Sequence, residues 1–308
     1  MVLNLNSLFD LINSNPSEQD CINYLENIIW KGKVISPYDP NSKVYPCANN
    51  KYRCKNTGKY FTAKSLTVFR NSNLSLKKWF LALYLFAPQE ISSYKLAKKL
   101  KISQKSAWYV EHRLRLAFKN PIFEIMLGNT VEIDETFIGG KNKNRHWDKK
   151  APHCQGRNWK DKIPVLGMIE RGGNLITQVI PNTQQKTLEP IIRANVREDS
   201  TIYSDDWYRH SNLSQSFNHQ WINHSAKQYA NGDVSVNAIE SFWNFPKRGI
   251  YGTYYHISRK HAQKYMDEFS FRFNTRKYGE GERFDLVLTS AVGKCLTYQQ
   301  LISLQSLF

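Results

Sequence analysis

The chain has 308 residues, 41% of them hydrophobic, which is enough for two domains and a small extra module. Its 43 Lys and Arg against 26 Asp and Glu leave a net charge of +17, which points to a polyanionic partner, above all nucleic acid. No apolar stretch approaches the roughly 20 residues of a membrane helix, and MVLNLNSLFDLINSNPSEQD at the start lacks the features of a signal peptide. A chain with no membrane partner is therefore expected. The five scattered cysteines, Cys21, Cys47, Cys54, Cys154 and Cys295, suggest reduced thiols and a cytoplasmic, nucleoid-associated protein.

Residues 1–30 read as helical, with Pro16 and Ser17 as start signals and Cys21, Ile22, Leu25, Ile28 and Ile29 at helical spacing. Residues 31–62 are punctuated by Pro, Asn and Gly and read as a small β module. ISPYDPNSKVYPCANNKYRCKNTGKYF has the length and turns of a zinc ribbon, which needs two Cys-x-x-Cys knuckles. The knuckle positions instead read Ser36-Pro37-Tyr38-Asp39 and Cys54-Lys55-Asn56-Thr57, and Cys47 lies outside the spacing. Zinc is not expected. A metal-free module held by Tyr45, Tyr52, Tyr60 and Phe61 is.

Residues 63–122 read as helical. LSLKKWFLALYLF (74–86) is a buried helix, and 91–118 give two helices, the second capped by Ser103. Leu96, Ala97 and Leu100 line the first, and a tight turn passes Lys101-Ile102-Ser103. This is the pattern of a helix-turn-helix, whose second helix enters the major groove by its start. Gln104 and Lys105 are there to contact bases or phosphates. An ordinary αα-hairpin is the alternative, and the charge favours DNA.

After Asn129 the pattern turns to strands. TVEIDETFIGG, IPVLGMIERGG and NLITQVIPN are short β runs, the last two joined at Gly172-Gly173, a hairpin signal. KTLEPIIRANV reads as a helix, STIYSDDW as a strand, then a polar helical piece, FNHQWINHS as a strand, and VNAIESFWNFPKRG as the start of a final helix. The plan is mixed α/β. Pro246 is expected to end or kink that last helix.

Glu132, Asp134 and Glu135 crowd three acids into one strand, beside the basic KNKNRHWDKK. Like charges are tolerated there when they bind a divalent cation. Partner acids stand at Asp205 and Asp206 on the end of another strand and at Glu240 near a helix start, with Asn237 one turn earlier. Such a set suits two Mg²⁺ ions (Mn²⁺ as a substitute) about 3.5–4 Å apart that activate the attacking and leaving oxygens of a phosphoryl displacement. Alternation sends Asp134 and Glu135 to opposite faces. Asp134 is assigned to the metal, and Glu132 or Glu135 is left to solvent, a basic neighbour or the support of Asp134. Tyr251, Tyr254 and Tyr255 are placed mostly in the core, with Arg259 and Lys260 on DNA.

From about Ile35 to Tyr278 the chain resembles bacterial insertion-sequence DDE transposases of the group related to Merlin elements. The stretches that carry the resemblance are YRCKNTGKYF, LKKWFLALYLF, VEIDETFIGGK, VLGMIERGG, KTLEPIIRANV, YSDDW, NHSAKQYANGDVSVNAIESFW, KRGIYGTYYHIS and YMDEFSFRFNTR. The resemblance implies an RNase H-like catalytic domain whose metal-binding triad is Asp134, Asp205 and Glu240, with Asn237 an alternative third residue. It implies that Lys247, with Arg248 beside it, contacts DNA near the cleaved end. It also implies a ribbon that normally binds zinc, from which Ser36, Asp39 and Thr57 depart.

The expected division is an N-terminal helical segment (1–30), a degenerate ribbon-like module (31–62), a helix-turn-helix region (63–122), an RNase H-like catalytic domain (123–280) and a C-terminal tail (281–308). The expected activity is metal-dependent cleavage at element ends followed by 3′-hydroxyl strand transfer, by a homo-oligomer assembled on terminal inverted repeats and target DNA. Two other readings share these features: a non-catalytic DNA-binding regulator derived from such an enzyme, and an RNase H-like nuclease. The helix-turn-helix and ribbon-like module favour a protein that recognises terminal repeats.

Overall fold

The computed structural model describes residues 5–65, 67–123, 125–139, 146–150, 162–205, 212–222 and 232–303. The chain divides into two compact units, Met1–Asn120 with Lys277–Phe308, and Pro121–Arg276.

The first unit opens with α1 (Leu8–Ser14) and α2 (Glu18–Trp30), where the sequence suggested one helical segment. The break lies at Asn15, whose φ of 42° is left-handed, and at a capping box beyond Pro16. There the Asp20 amide donates to Ser17 Oγ (3.2 Å) and the Ser17 amide donates to the Asp20 carboxylate (2.9 Å). Strands β1 (Val44–Cys47), β2 (Lys51–Cys54) and β3 (Tyr60–Phe61) form an antiparallel sheet in that order. Asn49 and Asn50 turn β1 into β2 with φ of 60° and 53°, a conformation Asn tolerates.

Alternation along these strands corrects the expectation for the four module rings. Tyr52 and Phe61 do hold the module. They stack on each other at 5.7 Å and meet Trp30 edge-on at 5.1 and 6.1 Å. Tyr45 and Tyr60 lie on the opposite face, 41% and 56% exposed.

Three helices follow: α3 (Leu76–Phe86), α4 (Ser93–Leu100) and α5 (Gln104–Phe118). Each is started by a serine hydroxyl that accepts a backbone N–H three residues on, from Lys78 to Ser75, Lys95 to Ser92 and Ser106 to Ser103. The turn between α4 and α5 is made by Lys101 at φ 51°, and Leu96, Ala97 and Leu100 are buried.

The second unit holds β4 (Thr130–Ile138), β5 (Ile163–Glu170), β6 (Leu175–Val179), α6 (Gln185–Asn195), β7 (Thr201–Asp205), β8 (Asn218–Ile222), α7 (Asn237–Gly249) and α8 (Ala262–Asn274). The five strands order as β6-β5-β4-β7-β8. The first three form an antiparallel meander, and β7 and β8 run parallel to β4. The mixed α/β plan read from the sequence is this one. Gly172, at φ 75°, turns the β5–β6 hairpin as expected. Leu188 and Ile192 of α6 cover one face of the sheet with Val131, Ile133, Leu166 and Ile202. On the other face, Ile239, Phe242 and Trp243 of α7 and Met266 and Phe269 of α8 pack against Ile138, Val165 and Tyr203.

Two features of this unit differ from the sequence reading. Helix α7 runs through Pro246 to Gly249, so Lys247 and Arg248 are helical. An internal proline costs about 3 kcal/mol, which the burial of Ile239, Phe242 and Trp243 offsets at about 1.5–3 kcal/mol each. Helix α8 was not expected at all. It docks on edge strand β6 by side chains that imitate a neighbouring strand. Leu175 N donates to Asn274 Oδ1 (2.9 Å), Asn274 Nδ2 donates to Leu175 O (3.0 Å), Val179 N donates to Gln263 Oε1 (2.7 Å), and Gln263 Nε2 donates to Thr177 O (3.0 Å). An edge that would otherwise template aggregation is thereby closed. The polar helical piece after Asp205 falls partly on 206–211, outside the described residues; Asn212–Gln215 form a 3₁₀ turn.

The chain then returns to the first unit with α9 (Glu280–Ser290) and α10 (Tyr298–Ile302). Residues 281–308, read as a tail, thus carry two helices. The reason is burial: Phe284 stacks on Tyr84 at 4.4 Å, and Tyr24 Oη donates to Asp285 at 2.6 Å. No helix among the described residues is long and apolar enough to cross a membrane.

Candidate active site

The parallel ladder of β4 and β7 pairs Thr130 with Thr201, Val131 with Ile202 and Glu132 with Tyr203. Carried two residues further, the same register sets Asp134 level with Asp205. Alternation puts both on the α7 face, since Tyr203 belongs to the α7 core and Ile133 and Ile202 to the α6 core. Both carboxylates are half-buried, each two residues beyond the last paired positions, Glu132 and Tyr203. Glu135 points to the α6 face, 9% exposed. Asp206 and the basic run at 141–145 lie outside the described residues.

Glu132 shares the face of Asp134, but it is 1% exposed, which excludes the solvent role open to it from sequence. It has the basic neighbour. Arg171 Nε donates to Glu132 Oε1 at 2.7 Å. The other oxygen, Oε2, accepts the amides of Ala238 (2.8 Å) and Ile239 (3.1 Å), the first turn of α7. Arg171 in turn donates to Asp233 O (2.8 Å), Ser235 O (3.1 Å) and Ser235 Oγ (2.7 Å) in the segment leading into that helix. No side chain of α7's own N-cap residue, Val236, caps it. A carboxylate from the central strand supplies the missing acceptor, where the helix dipole also favours negative charge.

One turn further along α7, Trp243 Nε1 donates to Asp134 Oδ2 at 3.0 Å. The indole can lie there because Gly167, paired with Asp134 in β5, has no side chain. A Cβ at Gly167 would fall 2.6 Å from the ring. Glu240, Asn237, Lys247 and Arg248 are exposed on α7. Asn237 lines an open cleft with Glu132, Arg171, Asp233, Ser235 and Ala238 at the start of the helix. The structure thus places Asp134 and Asp205 on the same face of the sheet, on neighbouring strands. Among the described residues, no group of three or more His, Cys, Asp or Glu side chains is gathered to hold a metal ion.

The remaining candidates are dispersed. Arg259 is exposed and donates to Lys162 O at 2.8 Å, and Lys260 is half-buried. Of the tyrosines placed mostly in the core, only Tyr254 packs there, with its hydroxyl on Glu268. Tyr251 and Tyr255 are 53% and 79% exposed, because the π turn at Ile250–Tyr254 and the left-handed Tyr255 (φ 59°) rotate them outward. In the first unit Gln104 and Lys105 are exposed at the start of α5. Gln104 Nε2 donates to Ser93 Oγ (2.8 Å), and the Lys105 ammonium lies 4.9 Å over the Tyr298 ring.

The former knuckles also meet in the first unit. Cys54 is buried, with Ser36, Ser42 and Thr57 around its sulfur. Burial pushes the thiol up. The three hydroxyls and the Thr57 backbone outweigh it and draw the thiol down from an ordinary 9.0 to about 6. Ser36 Oγ accepts from Tyr38 N (3.2 Å), and the Asp39 carboxylate is turned to Asn56 Nδ2 (2.7 Å) and Asn41 N (3.0 Å).

Comparison with known proteins places these observations. Residues 126–274 match the family described as the ISXO2-like transposase domain. An uncharacterized transposase-like protein of Haemophilus influenzae is 39% identical over 99 residues, covering 32% of this chain and 79% of that protein. An uncharacterized protein in transposable element ISH50 of Halobacterium salinarum is 26% identical over 296 residues, covering 90% of this chain and 97% of that one. Among solved structures, a pre-cleavage Mos1 transpososome covers 67% of this chain and 75% of its own at 15% identity and a TM-score of 0.26, too low a score to bear on this chain.

Proposed function

The chain belongs to the ISXO2-like family of insertion-sequence transposases, and from that premise we propose that it is a metal-dependent DNA transposase. It cuts DNA at the ends of its element and joins the freed 3′-hydroxyl to target DNA, as a homo-oligomer on that DNA. The observation that carries the reading is the pair Asp134 and Asp205, level on one face of adjacent parallel strands beneath the helix that bears Glu240. A meander of three strands flanked by two parallel ones, with helices on both faces, fits an RNase H-like domain. The wider motif set of the sequence favours the Merlin-related group within the insertion-sequence transposases.

The donor set suits a hard cation, since Asp134 and Asp205 offer carboxylate oxygens and no sulfur, as Mg²⁺ or Mn²⁺ requires. These two and Glu240 would hold it. When bound, it supplies charge stabilisation to the phosphodiester and lowers the pKa of the attacking water or hydroxyl. The chain's own residues do the positioning. Trp243 holds one oxygen of Asp134, and Glu132 with Arg171 fixes the first turn of α7 to β4. Glu240 stands three residues before Trp243, hence on the same side of the helix. Asn237 stands six before it, turned about 120° away. That supports Glu240 over Asn237 as the third residue. Lys247, seven after Glu240, shares its side and is exposed to reach DNA with Arg248.

Incubation of the full chain with duplexes ending in the element's terminal repeats, in Mg²⁺, tests the reading. Nicks with 3′-hydroxyl ends at the repeat boundary and joined products are expected. Bound but uncut DNA would favour the non-catalytic regulator, and cutting without joining the nuclease.

In the first unit, Gln104 and Lys105 at the start of α5 are proposed to meet DNA. Gln104→Ala is expected to relax sequence preference. Lys105→Gln is expected to lower affinity for all sequences and to flatten the log–log salt dependence by about 0.9. If binding to the element's end is unmoved by either change, the hairpin is scaffold.

The ribbon-like module is proposed to stand without zinc. One thiol ringed by hydroxyls, with Asp39 engaged elsewhere, does not match the soft donor set of a structural zinc site. Metal analysis after mild chelation is expected to return far less than one zinc per chain; a full retained equivalent would overturn the proposal. Cys54 is expected to titrate near about 6, read by thiolate absorbance with the other cysteines replaced by serine. The sign follows from a folded value below the unfolded one. The thiolate's contribution to stability is full above about 9, shrinks as pH falls, and is gone below about 6.

A further inference from the structure

The outward face of the small sheet in the first unit carries a row that nothing above uses. Tyr45 on β1 pairs with Arg53 on β2, and Arg53 pairs with Tyr60 on β3. Residues directly opposite in antiparallel strands share a face, so the three side chains form a line across all three strands. The two rings stand roughly 10 Å apart, two strand spacings, with one guanidinium between them. Tyr52 and Phe61, one position along, point the other way into the aromatic core under Trp30. The row is therefore not needed to close that core.

Cations lie over these rings. The Lys43 ammonium is 5.4 Å from the Tyr45 centroid, and the Arg53 guanidinium is 5.8 Å from that of Tyr60. At the sheet's margin the Lys59 ammonium is 5.1 Å from the Tyr38 centroid. No Asp or Glu stands anywhere between Asp39 and Glu90 in the sequence, whereas Lys43, Lys51, Arg53, Lys55 and Lys59 do. The phenols of Tyr45 and Tyr60 make no hydrogen bond among the described residues, while that of Tyr52, on the inner face, donates to Glu26 at 3.0 Å.

We propose that this face is a binding surface for the phosphate backbone of duplex DNA, in which Lys43 and Arg53 neutralise phosphates and the Tyr45 and Tyr60 hydroxyls donate to them. It rests on DNA as the partner, which family membership implies, and not on the cleavage chemistry. Three features select the backbone over the bases. The charge is of one sign. The free polar groups can all donate, and those of Lys43 and Arg53 can only donate, which matches phosphate oxygens. The ring faces, which stacking on an unpaired base would need, already carry cations. Contacts of this kind set register on the duplex without reading sequence.

The test is fluorescence anisotropy of the full chain with a mixed-sequence duplex across a salt series, without divalent cation. Lys43→Gln and Arg53→Gln are each expected to flatten the log–log salt slope by about 0.9, and the double variant to bind about tenfold more weakly at moderate salt. Tyr45→Phe with Tyr60→Phe is expected to lower affinity several-fold at an unchanged slope. The inner-face rings are kept in every variant, and circular dichroism verifies the fold. An unchanged slope in the Lys43/Arg53 double variant overturns the proposal. So does unchanged affinity in the double Phe variant together with a large loss on Tyr45→Ala with Tyr60→Ala, because that pattern marks base stacking. Cleavage in Mg²⁺ is scored separately. Slopes as expected with no cleavage would count against the enzyme reading alone, and normal cleavage with unmoved slopes against this surface alone.

Discussion

Asp134→Asn is expected to abolish strand cleavage in Mg²⁺ while leaving the fold and DNA binding close to wild type. The amide keeps an oxygen for the Trp243 indole, which now donates to Asp134 Oδ2 at 3.0 Å, and it changes little volume. The substitution removes no packing and keeps the indole's acceptor, so the stability change should stay within about 1 kcal/mol of zero. Catalysis is another matter. A neutral amide is a poor ligand for a hard cation, and the charge stabilisation at stake is several kcal/mol. At about 1.4 kcal/mol per factor of ten, cleavage should fall by about a thousandfold or more. Asp205→Asn should behave alike, because the two carboxylates share a level and a face. Glu240→Gln should follow them, with Asn237→Ala as the paired control. The measurement is the nicking rate on a terminal-repeat duplex, with binding read in parallel. Cleavage at wild-type rate by Asp134→Asn would remove the catalytic assignment altogether. Loss in Asn237→Ala with activity kept in Glu240→Gln would move only the third position.

Much of this site is legible in the sequence, and particular residues show why. The strand around Asp134 alternates apolar and acidic residues, so its two faces could be told apart at once. Asp205 closes a short β-branched and aromatic run, again a local pattern. The shared level of the two aspartates was not legible, since it depends on which strands pair in parallel and in what register. Which of its three open roles Glu132 takes was not legible for the same reason. Its partners Arg171 and Ala238 lie 39 and 106 positions away, and nothing local marks a strand carboxylate as the cap of a distant helix. Two further features are legible in local periodicity. Ala262, Tyr265, Met266 and Phe269 recur at i, i+3, i+4 and i+7, the signature of the helix that covers the sheet. Period-two alternation alone would have separated Tyr45 and Tyr60 from Tyr52 and Phe61. The C-terminal helices were hidden by a different effect: Phe284 declares itself only against Tyr84, two hundred residues earlier.

Glu132→Ala is expected to be the most destabilising single change in the second unit. Glu132 is 1% exposed and meets three donors: one from Arg171 and two backbone amides of α7. Removing it leaves two helix N–H groups without their acceptor and a guanidinium without its anion. Breaking a buried, hydrogen-bonded ion pair from one side costs about 3–5 kcal/mol, which for a unit of this size lowers the melting midpoint by about 10 °C. Glu132→Gln keeps an acceptor for the amides and should cost about half as much. Arg171→Ala should cost less than Glu132→Ala, because Arg171 is one-third exposed and the carboxylate keeps its two amides. In a double-mutant cycle the two losses should not add, since both residues serve one clamp. The clamp also sets where Glu240 stands, so Glu132→Gln should slow cleavage at temperatures where it remains folded, with DNA affinity unchanged. Thermal melts of the four proteins in the cycle, with nicking rates well below each midpoint, separate the two effects. Strict additivity of the melts would show that Glu132 and Arg171 act apart, and an unaltered nicking rate in folded Glu132→Gln would show that the cap stabilises α7 without positioning it.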